Sequence, residues 1–246
     1  MDRMIWLAMS GAKQTLTAQA AANHNLANAS TAGFRADFNA FRAMPVFGDG
    51  HPSRVYAMSE RPGVDFKAGS IVRTGNDLDV AVDGEGWLAV QAPDGSEAYT
   101  RAGNLRLDAS GLLQTASGHP VLGNGGAIAI PPSETLNIGN DGTISVRPVG
   151  QGSESLATVD RLRLVRTPSS ELVKGPDGLF RRSDGQPAAP DASVRVLQGA
   201  YESSNVNPIE MMVSLMNMQR QFELQVKAMR TAQENDAQSA QLLRLA

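Results

Sequence analysis

The last fifth of the chain has the hydrophobic pattern and the start signal of one long helix. Asn207 can act as its N-cap, Pro208 fits the first turn, and Glu210 falls at the capping-box position. No proline or glycine follows Pro208. The sequence therefore predicts an uninterrupted helix from Pro208 to about Gln241, about 50 Å long at about 1.5 Å per residue.

Apolar residues recur along this helix in alternating steps of three and four, which is typical of a coiled-coil seam. The predicted seam contains Met212, Leu215, Gln219, Phe222, Val226 and Met229, and continues in the more polar set Gln233, Asp236, Ala240 and Leu243. Further apolar residues widen this face, namely Ile209, Val213, Met216, Met218 and Leu224. A face of this width predicts more than one helical neighbour.

The N-terminal segment has the same spacing and predicts a second amphipathic helix, from about Arg3 to Asn28. Its contact positions are Ile5, Met9, Ala12, Leu16, Gln19, Asn23 and Leu26. After it, Gly33 is expected to take the left-handed conformation that stops a helix, and Phe34 to fold back on the last turn. Asn25 and Asn28 share a face, where their amides can bind free carbonyls or a neighbouring backbone.

The polar positions of the two helices leave two interpretations open. Gln19, Asn23, Gln219 and Gln233 are poor core residues, but they suit a register-setting interface between subunits. The alternative is a clamp in which both helices pack on the chain's own core.

Between the helices the pattern changes twice. Residues 34–75 have no regular period and predict an extended, irregular connector with short strands near residues 54–58 and 70–74. Residues 76–200 contain about ten short apolar runs separated by turn signals, with Pro93-Asp94-Gly95 as a strong hairpin signal. The predicted fold class is α+β: long terminal helices, within residues 1–33 and 201–246, pack as a coiled-coil-like pair beside a mainly β central domain of short strands.

Charge and composition exclude several classes of function. A net charge of -3 and a pI of about 5.6 give no broad basic surface, which argues against nucleic acid as a partner. The chain has no cysteine, so disulfides and thiolate chemistry are absent. It has no run of eighteen apolar residues that would insert into a membrane, and the apolar run from Met4 to Met9 is too short for an ordinary signal peptide.

No residue set supports an enzyme, and no cofactor or metal is expected. The three histidines, His24, His51 and His119, lack the spacing of metal ligands. Gly84 and Gly86 do not open a phosphate-binding loop, since no third glycine or lysine follows before a helix. A calcium site is not supported at Asp77, Asp79 and Asp83, because the bidentate glutamate is missing.

Three blocks of sequence, in the same order, resemble the flagellar basal-body rod protein family. The first is Asn25-Leu26-Ala27-Asn28, followed by Thr31, Gly33 and Phe34. The second comprises Thr74 to Trp87 with its Asp-Gly-x-Gly turn, Tyr99-Thr100-Arg101-Ala102-Gly103, and Leu107 to Leu112. The third is Gly199 and Glu202 to Pro208, followed by the long helix with Gln219-Arg220, Phe222-Glu223 and Thr231-Ala232.

This resemblance implies a structural subunit of the rod of the bacterial flagellum, located in the periplasm. It implies that terminal helices from many subunits pack into an inner tube, that β domains form the outer layer, and that the contacts carry torque. The partners would be copies of this chain, other proximal-rod and distal-rod proteins and, during secretion, the flagellar export apparatus, without cleavage of a leader. The opening Met1 to Met4, with Ala8 to Ala12 and Phe41 to Val46, resembles proximal-rod members, and a distal-rod subunit is the alternative.

The residues expected at the assembly interface come from both helices and from the first sequence block. They are Ile5, Met9, Leu16, Gln19, Asn23, Asn25, Leu26, Asn28, Thr31, Gly33, Phe34, Met212, Leu215, Gln219, Phe222, Val226 and Met229. A different class of function is a secreted β-domain binding module on a helical stalk, in which Trp87, Tyr99 and Tyr201 would contact the ligand. Exposed alternating aromatic residues would favour that module, whereas a bare apolar helix surface would favour assembly.

Overall fold

A computed structural model describes residues 2–38, 41–45, 55–59, 63–148 and 156–245. The chain divides into two compact units. The helical unit comprises residues 1–29, 36–65 and 206–246, and the β unit comprises residues 30–35 and 66–205.

The helical unit is built on two long helices, α1 (Asp2–Ala27) and α2 (Pro208–Leu245). Both predicted helices are confirmed, and α2 extends four residues past the predicted end at Gln241. The Oδ1 atom of Asn207 accepts hydrogen bonds from the backbone N–H groups of Ile209 at 3.1 Å and Glu210 at 3.4 Å, which confirms the predicted N-cap.

The two helices pack against each other, as predicted. The buried positions of α1 are mainly small and comprise Ala8, Ala12, Thr15, Ala18, Ala22 and Asn25. On α2 a seven-residue repeat is buried or half-buried, namely Met211, Leu215, Met218, Phe222, Gln225, Met229, Ala232, Asp236 and Ser239. A Cβ atom added to Gly11 would lie 3.0 Å from Nε2 of Gln225, so this glycine allows the helices to approach closely.

The faces used within the chain are rotated relative to the predicted ones. Met9 and Leu16 were expected at the contact face of α1, and both are exposed. On α2, Leu215, Phe222 and Met229 lie on the half-buried repeat, whereas Met212 is exposed. The reason is steric: large side chains define the predicted faces, but the small residues of α1 let a partner approach most closely.

Four short strands complete the helical unit. They are β1 (Asp37–Phe38), β2 (Phe41–Pro45), β3 (Val55–Ser59) and β4 (Gly63–Val64). Strand β1 pairs with β4, and β2 with β3, both antiparallel, and α1 packs on β1 and β3. The strand predicted near residues 54–58 is confirmed as β3, although Arg54 lies outside the described residues.

The described part of the β unit has sixteen short strands and one 3-10 turn, Ser169–Glu171. The strands are β5 (Ile71–Arg73), β6 (Val80–Asp83), β7 (Trp87–Gln91), β8 (Glu97–Thr100), β9 (Leu105–Leu107), β10 (Leu113–Thr115), β11 (Leu122–Gly123), β12 (Gly126–Ala127), β13 (Ser133–Ile138), β14 (Thr143–Pro148), β15 (Ala157–Arg161), β16 (Leu164–Val165), β17 (Leu172–Lys174), β18 (Phe180–Arg182), β19 (Arg195–Gln198) and β20 (Ala200–Glu202). More strands form than the ten predicted, because two- and three-residue strands such as β12 and β17 are too short to give a hydrophobic period.

All strand pairs described for the β unit are antiparallel, and two larger sheets contain half of its strands. One has the order β16-β7-β8-β18-β17, and the other has the order β13-β14-β15. The hairpin predicted at Pro93-Asp94-Gly95 is confirmed between β7 and β8, where Gly95 has a φ of +82°. The core contains apolar residues from most strands, including Val80, Leu88, Val90, Leu113, Val121, Ile128, Ile144, Leu162 and Val196.

The C-terminal strands close the β unit through pairs that are distant in sequence. Strand β19 pairs with β6, with Val196 opposite Val82. Strand β20 pairs with β5, with Glu202 opposite Ile71. This pairing brings the third sequence block into contact with residues near the second.

Candidate assembly interface

The first turns of α2 carry an exposed apolar face. Ile209, Met212, Val213 and Met216 follow one another in steps of three, one and three residues, so they share one side of the helix. All four are exposed, Ile209 to 74% and Met216 to 69%. We call these four residues the α2 face. On α1, Trp6, Met9 and Leu16 are also exposed and lie at the same helical spacing.

The predicted interface residues divide into three groups by burial. Met9, Leu16, Asn23, Thr31, Met212 and Gln219 are exposed. Ile5, Gln19, Leu26, Asn28, Leu215, Phe222, Val226 and Met229 are half-buried. Asn25, Gly33 and Phe34 are buried. The helices therefore present one face to each other and leave a second apolar face uncovered within the described chain.

The two asparagines of the first block bind backbone within their own unit. Asn25 donates from Nδ2 to the carbonyl of Asp37 at 2.8 Å, and its Oδ1 accepts from the N–H of Asp37 at 2.8 Å. Asn28 donates from Nδ2 to the carbonyl of His24 at 2.9 Å, near the C-terminal end of α1. Asn25 confirms the prediction that these amides bind a neighbouring backbone. The carbonyl that Asn28 binds is not free, because it also accepts the backbone N–H of Asn28 at 3.2 Å.

Gly33 does adopt the left-handed conformation, with a φ of +66°, but it does not end the helix. The prediction of a helix stop is wrong, because α1 ends at Ala27. Gly33 instead donates its N–H to the carbonyl of Glu202 at 2.7 Å. A Cβ atom at this position would lie 2.1 Å from the carbonyl carbon of Arg101, so the close approach of two backbones requires glycine.

Phe34 follows Gly33 into the β unit and is buried there. The Nζ atom of Lys174 lies 3.9 Å from the centre of the Phe34 ring, which is a cation–π geometry. The same Nζ donates to the carbonyl of Arg35 at 2.7 Å. These contacts fix the segment 30–35 within the β unit.

Beside Gly33, two buried arginines share one buried glutamate. Glu202 accepts hydrogen bonds from Arg35 Nη1 at 2.5 Å, Arg101 Nη1 at 3.0 Å and the N–H of Gly69 at 2.8 Å. The side chains of all three charged residues are at most 7% exposed. Burial lowers the pKa of Arg101, and the charge of Glu202 opposes that shift. We call Arg35, Arg101 and Glu202 the buried ion cluster.

An aromatic group lies against the buried ion cluster. The Trp87 ring centre is 4.7 Å from that of Phe180 and 6.2 Å from that of Phe66. The guanidinium carbons of Arg101 and Arg35 lie 5.3 Å and 5.9 Å from the Trp87 ring centre. Trp87 is therefore a packing partner of the buried cations.

Comparison with known proteins identifies the family. One family model, described as the flagellar hook protein FlgE/F/G D1 domain, matches residues 81–146, and another, the flagellar basal body rod FlgEFG protein C-terminal region, matches residues 197–242. The chain is 43% identical over 249 residues to the flagellar basal-body rod protein FlgF of Salmonella typhimurium strain LT2, with 99% of each chain covered. The chain belongs to the flagellar basal-body rod protein family.

Two other members of the family, one FlgF and one FlgG, are also similar to this chain over most of its length. FlgF of Escherichia coli strain K12 is also 43% identical, with 99% of each chain covered. FlgG of Buchnera aphidicola subsp. Schizaphis graminum is 29% identical over 259 residues, which cover 94% of this chain and 95% of that protein. As a member of the rod protein family, the chain is a structural subunit of the flagellar basal-body rod.

The three sequence blocks that resemble the rod protein family meet at one junction of the β unit. Gly33 comes from the first block, Arg101 from the second and Glu202 from the third. Sequence reasoning missed the buried ion cluster, because its contacts join residues 167 and 101 positions apart. The only signal was that Arg35 directly follows the first block, while Arg101 lies in the second and Glu202 in the third.

The histidines and aspartates considered as metal ligands make hydrogen bonds or ion pairs within the described part of the chain where the structure shows them. His24 Nδ1 lies 2.7 Å from Asp37 Oδ2, and Asp79 accepts a hydrogen bond from the Thr74 hydroxyl at 2.5 Å. His51 lies outside the described residues. Among the residues that the structure describes, no three His, Asp or Glu side chains are placed to hold a metal ion. In the same ranges, neither helix contains a stretch long and apolar enough to span a membrane.

Proposed function

We infer that this rod subunit belongs to the proximal rod and assembles through the exposed apolar faces of α1 and α2. Identity of 43% over 99% of the chain to two FlgF proteins supports a FlgF-type subunit, which we assign to the proximal rod because the opening of the chain resembles proximal-rod members. In this proposal the helices contact copies of the same chain and other rod proteins. The rod lies in the periplasm, and the flagellar export apparatus delivers the chain without cleavage of a leader.

The observation that carries the proposal is the α2 face. Ile209, Met212, Val213 and Met216 are all more than half exposed. A cluster of large apolar side chains on one side of a helix is unfavourable in water and marks a surface that another protein covers. Each such side chain contributes about 1.5 to 3 kcal/mol when it is fully buried, so the α2 face can drive association.

The β unit transmits force as a rigid body in this proposal. Its buried ion cluster joins the short segment 30–35, through Arg35, to the last strand of the unit, through Glu202. A buried charge network with several hydrogen bonds resists opening, because separation would leave charges unpaired in the interior. Torque can then pass through packing contacts without any chemical step.

The aromatic residues favour assembly over the binding module predicted as an alternative. Trp87 and Tyr99 are buried, at 6% and 1% exposure, and Tyr201 is half-buried. They therefore do not form the exposed aromatic platform that such a module needs.

The decisive experiment changes the α2 face without touching the β unit. Met216→Asp, produced in cells that lack the wild-type chain, should give a secreted subunit whose β unit melts normally but which is absent from purified basal bodies. The matched control is Asn217→Asp, which places the same charge on the next, already polar and exposed, residue. Normal incorporation of Met216→Asp would overturn the proposal.

A further inference from the structure

The β unit contains a cavity that the helical interface does not use. Its volume is about 530 Å³. Phe66 and Trp87 give it an apolar wall, and its polar lining includes Glu85, Arg101, Arg166 and Thr167. A concave site with an apolar wall and a few convergent polar groups is the usual form of a binding site.

Two deeply buried residues of the lining have unused hydrogen-bonding capacity. Arg101 donates from its Nη atoms to Glu202 and to the carbonyls of Val82 and Gly84, but its Nε has no acceptor among the described residues. Thr167 is 9% exposed, and its hydroxyl forms no hydrogen bond within the described part of the chain. The Arg101 Nε is enclosed by the protein and cannot reach a ligand, whereas the Thr167 hydroxyl is open to the cavity and can donate to an acceptor that enters it.

The charge of the lining favours an anion. Two arginines and one glutamate give the lining a net charge of one positive unit. Behind the lining, Glu202 is shared by Arg35 and Arg101, so its single negative charge does not neutralise both arginines. Asp191, which is not part of the lining, also attracts Arg166. A carboxylate fits this setting, because guanidinium groups bind planar carboxylates well.

We propose that the cavity beside Trp87 receives the carboxylate side chain of a glutamate or aspartate from a neighbouring rod subunit. The inference rests on the proposed rod function, which supplies the neighbour. The apolar wall distinguishes this ligand from a free anion. Phe66 and Trp87 can cover the aliphatic stem of an acidic side chain, whereas a phosphate ion would gain nothing from them.

Glu85 occupies part of the proposed site in the free subunit. Its Oε2 lies 2.7 Å from Arg166 Nη2, while Glu85 is 81% exposed and Arg166 is 53% exposed. An ion pair between two exposed groups is weak, so an incoming carboxylate can displace Glu85. Glu85 thereby competes with the ligand, and its removal should strengthen binding.

Tryptophan fluorescence gives a direct test in the full chain. The chain has two tryptophans, so Trp6→Phe leaves Trp87 as the only reporter. The probes are N-acetylglutamate N-methylamide, its glutamine analogue and inorganic phosphate. We expect a saturable signal with the glutamate probe and none with the glutamine probe. Phosphate should bind more weakly than the glutamate probe.

Three variants identify the groups involved. Glu85→Gln should strengthen binding of the glutamate probe several-fold, whereas Thr167→Val should weaken it several-fold. Arg166→Gln, a change at an exposed position, should weaken it several-fold. Equal signals with the two amino-acid probes, tighter binding of phosphate, or no saturable signal even in Glu85→Gln would each overturn the inference.

A second arm separates this inference from the rod function. Arg166→Glu should reduce incorporation of the subunit into basal bodies, while Glu85→Gln should assemble at least as well as wild type. If Met216→Asp fails to assemble but Arg166→Glu assembles normally, the rod proposal is supported and the proposed carboxylate site is overturned. If Met216→Asp assembles normally while the glutamate probe still binds, the proposed helical interface is overturned and the carboxylate site is supported.

Discussion

The Glu202 carboxylate lies 2.5 Å from the Arg35 guanidinium, although the two residues are 167 positions apart in the chain. Arg35 ends the short N-terminal segment of the β unit, and Glu202 lies in its last strand. Their ion pair therefore joins the N-terminal segment of the unit to its last strand. Arg101 adds a third charge at the same point, so the cluster joins the second and third sequence blocks to the residue that directly follows the first.

Glu202→Gln should strongly destabilise the β unit. The change leaves Arg35 and Arg101 buried without a counter-charge, which costs about 3 to 5 kcal/mol when one partner of a buried ion pair is removed. Urea unfolding, followed by Trp87 fluorescence in the Trp6→Phe chain, measures the free energy of unfolding.

The control for that experiment is an ion pair at the surface. Glu134 lies 3.2 Å from Arg147 and is 46% exposed, so Glu134→Gln should cost less than about 1 kcal/mol. If the two substitutions had similar effects, the buried ion cluster would not be a main support of the β unit.

Gly33→Ala should also destabilise the β unit, through a steric clash. The new Cβ would lie 2.1 Å from the carbonyl carbon of Arg101, and backbone cannot move aside as a flexible side chain can. Gly178→Ala is the matched control, since Gly178 has a φ of +78° but open space around it. Both variants place alanine in the left-handed backbone conformation, so the difference between them reports the clash. Gly33→Ala should lower the free energy of unfolding, measured with urea, by about 1 to 3 kcal/mol more than Gly178→Ala. Equal losses would mean that the clash is relieved.

The features that could be predicted from sequence are those with local or periodic signals. Asn207 and Pro208 mark the start of α2 because capping depends on adjacent residues. The hairpin at Pro93-Asp94-Gly95 is likewise a local signal. The contact of Glu202 with Arg35 could not be predicted in this way, because no local or periodic pattern links two charged residues that are far apart in the sequence.

The helical faces illustrate a second limit of sequence reasoning. Large apolar residues such as Met9 and Leu16 dominate a hydrophobic pattern, yet α1 is buried along small residues such as Ala8 and Ala18. Alanine contributes little to a pattern but permits close approach of helices. The sequence therefore indicates that both helices have apolar partners, without indicating which face meets which partner.

The stability of the β unit should fall at high pH because of Tyr99. Burial raises the pKa of Tyr99 to about 12, from an ordinary value of 10.0. Below pH 10 the tyrosine is protonated in both states, so it adds no pH dependence. Between pH 10 and about 12 the unfolded chain loses the proton first, and the free energy of unfolding should decrease.

The variant Tyr99→Phe separates this effect from general alkaline unfolding. The Tyr99 hydroxyl accepts a hydrogen bond from the N–H of Ala188 at 2.6 Å and donates to Glu97 at 3.0 Å, so the variant should be less stable at neutral pH. Its urea midpoint should then decline less between pH 10 and 12 than that of wild type. Parallel curves for the two proteins would contradict the assignment.

Hydrogen exchange in the isolated subunit should be faster in α1 and α2 than in the β unit. Among the side chains described for α2, only Ala232 is buried, so local opening of this helix exposes little apolar surface. The Gly33 amide should exchange slowly, because it donates to Glu202 within the β unit. Mass spectrometry of exchanged peptides checks both points, and equal protection of the helices and the β unit would show that the helices are already stable without assembly.

The last prediction concerns the two asparagines of the first block. Asn25 is 3% exposed, and its amide both donates to and accepts from the backbone of Asp37. Asn25→Asp would place a carboxylate oxygen against the Asp37 carbonyl and bury a charge beside a second acid, so it should destabilise the helical unit by about 2 kcal/mol or more. Asn28→Asp is the matched change at the residue that follows the end of α1. Asn28 is only half-buried, and water can reach the new carboxylate, so its cost should be about 1 kcal/mol or less even though the charge lies near a helix C-terminus. Thermal unfolding followed by helical circular dichroism ranks the two variants, and a larger loss for Asn28→Asp would show that the Asn25–Asp37 contact does not hold the end of α1.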